Sequence, residues 1–235
     1  MRSLTIAVFT AFFVLTLTSC MDCERGHGTS IREDRVVEGF TQIRVDGSMR
    51  VIISPGSEFS VQVEAQENLL PLIETRTDGD LLRIGTLECV WSSEEMMVFI
   101  TMPDIELMEI NGSGKIEVSA PFDLDRLELN IHGSGGILMM TEVESLAAHI
   151  AGSGDIRLEG GALKLYTRIA GSGNLNAYDF PVEDAMITIA GSGDARITAQ
   201  SRLQASIEGS GNIIYQGSPE VRFSISGSGN VRKKD

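Results

Sequence analysis

Three sets of residues in this chain could do chemistry. The first is acidic: Glu142, Glu144, Glu159, Asp179, Glu183 and Asp184, all in variable, turn-rich stretches. Two carboxylates brought together there would supply the acid and base of glycoside cleavage. The second set is a recurring Asp or Asn: Asp155, Asn174, Asp194, Asn212 and Asn230. Oxygen ligands at regular spacing are what calcium takes. The third comprises Cys20, Cys23 and Cys89 with the scattered His27, His132 and His149. Their spacing matches no zinc or haem pattern.

None of the three makes a strong reaction centre. Aromatic residues are 6% of the chain, which leaves little to stack on sugar rings, and acids of this kind also populate any solvated loop. No catalytic residue is assigned and no enzyme is expected. A carbohydrate-active lyase or hydrolase is the competing reading. Known calcium rolls repeat a nonapeptide with a Gly-Gly-x-Gly-x-Asp core. The interval here is twice as long, and Lys115 and Gly136 stand in the same column. These residues are therefore read as turn formers, whose side chains bond to nearby backbone, with no metal and no cofactor expected. The net charge of −14 excludes a nucleic-acid partner.

The elements that position these residues come from a repeat. Gly-Ser-Gly occurs seven times, as Gly112/Gly114, Gly133/Gly135, Gly152/Gly154, Gly171/Gly173, Gly191/Gly193, Gly209/Gly211 and Gly227/Gly229. The intervals run from 18 to 21 residues, and a worn copy, Gly47-Ser48-Met49, precedes them. A sustained period near 20 marks a solenoid. Isoleucine stands two residues before every copy: Ile110, Ile131, Ile150, Ile169, Ile189, Ile207 and Ile225. After each copy, apolar residues fall at every second position, as in Ile156 and Leu158, which is strand periodicity. Each unit is strand, tight turn, strand. A sharp bend favours glycine, and a stacked corner leaves no room for Cβ atoms. A second, less uniform corner recurs at stretches such as 159–162, 179–182 and 216–219, and none of the Gly-Ser-Gly turns is followed by a Gly-Lys-Ser/Thr sequence or a helix. That removes a phosphate site. Tyr166, Tyr178, Phe180 and Trp91 are candidates for an aromatic docking surface.

The chain opens with Met1-Arg2 and an apolar run from Leu4 to Leu17, the plan of a secretory signal peptide. Leu17-Thr18-Ser19-Cys20 resembles the bacterial lipobox. That resemblance implies cleavage before Cys20 and a lipid on its sulfur. The expected organisation is a lipoprotein signal peptide at 1–19, a flexible tether at 20–35 and a single solenoid domain at 36–235. Within it, 36–106 is irregular and strand-rich, and 107–235 carries the repeat coils. With Cys20 lipidated, Cys23 and Cys89 remain as a pair in an oxidising compartment. A disulfide between them stays open, because a flexible leash fixes no distance.

A lipoprotein signal, a strand-rich lead-in and serial Ile-x-Gly-Ser-Gly-[Asp/Asn] units resemble the bacterial family of auto-transporter adhesins with a head GIN domain. The resemblance covers about Phe40 to Val231 and implies an all-β fold, a right-handed parallel β-helix of about 18–21 residues per coil, preceded by a mixed or antiparallel strand region. It implies an adhesin-like binding or structural role in the cell envelope. The anchor would hold the protein on a membrane, with the outer membrane expected and its face left open. A glycan or a surface protein is the expected ligand. Flat faces could also support a homo-oligomer such as a trimer.

Overall fold

The structure, a computed structural model, describes residues 23–234. Cys20 and the signal segment lie outside the described residues. The fold is a parallel β-solenoid of about seven turns. Strands β12 (Phe122–Gly133), β13 (Gly136–Gly152), β14 (Asp155–Gly171), β15 (Asn174–Gly191) and β16 (Asp194–Gly209) are successive windings, each pairing in parallel with the next. In β13 to β16 both faces of a winding belong to one long strand that bends at the variable corner.

Register explains why the repeat builds a core. Gly-Ser-Gly corners align vertically, so side chains two residues upstream stack. Ile110, Ile131, Ile150, Ile169, Ile189, Ile207 and Ile225 pair in succession. From Ile110 to Ile207 none is more than 1% exposed. Burying each such side chain contributes about 1.5–3 kcal/mol before entropy is counted. A second column, Leu127, Leu146, Leu165, Ala185 and Leu203, fills the space beside it. Leu163, two residues before Leu165, lies at the variable corner and is exposed.

The N-terminal part belongs to the stack but not in sequence order. Strands β3 (Gln42–Gly47) and β4 (Arg50–Pro55) pair in parallel with β10 (Leu107–Gly112) and β11 (Lys115–Val118). The worn Gly47 thus falls in line under Gly112. On the other side of β3 and β4 lie β7 (Leu81–Thr86) and β9 (Met97–Met102), also parallel. The isoleucine column therefore begins at Ile84 and runs through Val45 to Ile110.

Antiparallel strands close this end. Strand β6 (Ile73–Asp78) turns back on β7, β5 (Ser60–Gln66) on β9, and β2 (Ser30–Arg35) on β5. A short 3-10 turn at Leu70–Leu72 links β5 to β6. Reversing direction covers the parallel edge with strands that do not offer a further winding.

Part of the expected tether is ordered. Residues 30–35 form β2, and β1 (Glu24–Arg25) pairs in parallel with β8 (Val90–Trp91). Cys23 is bonded to Cys89, so the segment is pinned to the excursion between β7 and β9. Sequence alone left this pairing open, and it is the reason a polar, glycine-containing stretch is not a leash.

Candidate functional site

The two glycines of a corner answer two different demands. Gly171 has φ of 137°, and a Cβ there would come within 2.2 Å of the Gly152 carbonyl oxygen of the winding below. Gly173 needs no unusual φ, but its Cβ would meet Gly154 O at 2.2 Å and the Ile150 Cγ2 at 2.6 Å. The windings approach this closely because Ser172 N donates to Gly152 O at 2.8 Å. The same crowding holds at Gly112, Gly133, Gly152, Gly191, Gly209 and Gly227, and at Gly114, Gly135, Gly154, Gly193, Gly211 and Gly229.

The residues after four successive corners, Asp155, Asn174, Asp194 and Asn212, form a hydrogen-bonded ladder. Asn174 Nδ2 donates to Asp155 Oδ1 at 2.8 Å, and Asn212 Nδ2 donates to Asp194 Oδ1 at 2.9 Å. Backbone N–H groups add to it: Asn174 N reaches Asp155 Oδ1, Asp194 N reaches Asn174 Oδ1, and Asn212 N reaches Asp194 Oδ1. Carboxylate and amide alternate, so each acid faces an amide donor rather than another acid. The oxygens are engaged along the stack, which gives the column a structural use.

The six acids singled out above divide into three groups. Glu142, Glu144 and Glu183 line a shallow depression of about 610 Å³ together with Asp123 and Asp125. There Glu183 accepts a hydrogen bond from Ser201 Oγ at 2.5 Å. Glu159 and Asp179 lie side by side on adjacent windings and share Arg157, at 3.1 and 3.9 Å. Asp184 stands apart on the lateral face, in a two-pronged contact with the Arg202 guanidinium. Hydrogen bonding from Arg202 holds its carboxyl below the usual carboxylate range, outweighing a smaller desolvation effect, and the charges of Arg202 and Lys164 add to this. Among the described residues, no three His, Cys, Asp or Glu side chains group as metal ligands would.

On the face that carries Asp184, outward side chains form straight rows. One row is Lys164, Asp184, Arg202 and Glu220, alternating in charge. Its neighbour is Tyr166, Met186, Gln204 and Arg222. The two rows border a depression of about 380 Å³. Sequence reasoning picked Tyr166 for this surface but not Arg202, although an opposite charge one repeat later, 18 residues on, was the available signal. Of the other aromatic candidates, Trp91 is exposed, Tyr178 carries Lys234 Nζ over its ring at 4.2 Å, and Phe180 is fully buried. Phe180 is thus a core residue, not part of a docking surface. It enters the interior where β15 bulges between Ala177 and Pro181 to fit its longer repeat.

Rows of side chains at strand spacing, on a scaffold whose corners are built from backbone contacts, define a protein of the parallel β-solenoid class that displays broad faces. The family is more specific. The model for "putative auto-transporter adhesin, head GIN domain" matches residues 39–219, and the chain belongs to that family. Solved structures agree in fold. A putative adhesin from Bacteroides fragilis superposes with a TM-score of 0.81 at 22% identity, covering 89% of this chain and 99% of that one. A putative lipid binding protein from Parabacteroides distasonis gives 0.77 at 24% identity, with 91% and 100% covered. A putative adhesin from Parabacteroides merdae gives 0.74 at 22%, with the same coverage. No curated protein sequence matches the chain.

Proposed function

We propose that this protein is a non-enzymatic lipoprotein of the cell envelope, anchored through Cys20, that binds its ligand across a face of the solenoid. Membership of an adhesin family supports the adhesin-like role and the envelope location. The observation that carries the reading is the pair of rows through Asp184 and Met186, which present like positions at a fixed repeat. Neighbouring windings lie about 4.8 Å apart. A surface of that kind suits many weak contacts to an extended polymer, with affinity built by multivalency. A glycan is the first ligand class to test, and a surface protein or a self-associated trimer the next. The test is a glycan array and a whole-cell pull-down with the chain from residue 21 onward, which keeps Cys23. Reproducible binding to one glycan class that weakens when Tyr166 and Arg202 are both replaced by alanine supports the reading. Release of cleaved product from that glycan moves the protein into the carbohydrate-active enzymes instead.

A further inference from the structure

The distance between the proposed anchor and the folded body is short. Cys23 is joined to Cys89, and its neighbours are held as well. Glu24 N donates to Cys89 O at 2.9 Å, and Gly26 N donates to Trp91 O at 2.8 Å. Asn68 Nδ2 adds bonds to Glu24 Oε1 and to the Arg25 carbonyl. Only two residues, Met21 and Asp22, lie between Cys20 and Cys23, and three Cα steps reach at most about 10 Å. A lipid on Cys20 would therefore bring the Cys23–Cys89 corner to the membrane surface itself.

That corner carries what an interface between water and lipid accepts. Leu87 is 65% exposed and Trp91 is 56% exposed, two residues to either side of Cys89. The Arg25 guanidinium lies 5.8 Å from the Trp91 ring centroid. An exposed indole beside a guanidinium has an apolar body for the acyl boundary and donors for phosphate oxygens. Nothing in the solenoid uses Leu87 or Trp91 as core.

We infer that the capped end of the solenoid, through Leu87, Trp91 and Arg25, docks on the bilayer that holds the lipid anchor. The inference rests on the proposed lipidation of Cys20. It makes the β1–β8 pair and its disulfide a rigid mount, so the stack stands with β6 and β2 near the membrane. The last strands, β18 (Glu220–Gly227) and β19 (Asn230–Lys233), lie at the far end of the column.

Trp91 is the chain's single tryptophan, so its fluorescence reports the contact directly. The full chain is produced with its signal in a bacterium fed labelled palmitate. The acylated protein is then reconstituted into vesicles of phosphatidylethanolamine and phosphatidylglycerol with brominated acyl chains. Docking predicts that bromine removes about half of the Trp91 emission and that aqueous iodide no longer quenches it. Leu87→Glu, on an exposed position, is expected to restore iodide access without altering the near-UV signal of the fold. Protein that carries palmitate but shows bromine-insensitive, iodide-accessible Trp91 overturns the docking and leaves the lipoprotein intact. A chain that takes up no palmitate, like its Cys20→Ala variant, overturns the anchor and the docking with it.

Discussion

A side chain on a stacked solenoid has its counterparts one winding above and one below, so the chemistry of a position depends on the column it joins. Asn174 shows this. It donates to Asp155 below and accepts from the Asp194 backbone above. Asn174→Asp removes the donor and sets three carboxylates in a row at strand spacing. The expected cost is about 1–3 kcal/mol, smaller at high salt because the repulsion is screened. Urea melts at low and high ionic strength measure it. Asp184 gives the contrasting case of a column with alternating charge. Its carboxyl is held below the ordinary carboxylate range by Arg202. A depressed folded value means the contact stabilises above the unfolded carboxyl's pKa, near 3.9, and is lost as pH falls through the lower folded value. Carbon-detected NMR titration should find the Asp184 midpoint below that of an ordinary aspartate, and Arg202→Gln should return it to the usual range.

At the scale of elements, the windings from β12 to β16 were legible because their corners admit almost no substitution. Glycine at Gly171 and Gly173 is enforced by backbone of the winding below, and the isoleucine before it by a dry column, so each leaves a periodic mark. The winding made of β7 and β9 left no such mark. Its halves are separated by the excursion carrying Cys89 and β8, so no Gly-Ser-Gly corner joins them, and it stacks beneath residues that precede it in sequence. Pairing across such a break is set by the tertiary fold. The ordered segment around β1 was hidden for the same reason, since a disulfide partner 66 residues away decides it. Of the candidate surface, the glycine column could be read directly, whereas Phe180 was misplaced because repeat length alone does not say where an extra residue goes. Its burial makes a sharp prediction. Phe180→Ala should cost about 3–5 kcal/mol by leaving a cavity at the β15 bulge, while Tyr166→Ala on the exposed face should cost under about 1 kcal/mol. Thermal melts of the two variants separate a core aromatic from a surface one.

Over the whole molecule the two ends are not alike, and this decides where stability resides. The N-terminal end is closed by the antiparallel strands β6, β5 and β2. At the other end β18 and β19 pair only with the winding below, among the described residues. Phe223 shows the consequence. It continues the inward column Ala148, Thr167, Ile187 and Ala205, yet is 62% exposed because no winding covers it. Ile225 is likewise only partly buried, although it ends the isoleucine column. In a stack, stability is approximately a sum of contacts between neighbours, so an end position has one neighbouring winding where a central one has two. Ile150→Ala removes packing against both Ile131 and Ile169 and should cost about 3–4 kcal/mol. Ile225→Ala loses packing against Ile207 alone, beside solvent, and should cost about 1 kcal/mol. Native-state hydrogen exchange gives the same gradient without mutation: amides of β18 and β19 should exchange through local fraying, and those of β13 and β14 only through global opening. Equal costs for the two variants, or equal protection along the column, would mean that the open end is covered in solution, and the size of the Ile225→Ala effect would then measure that cover.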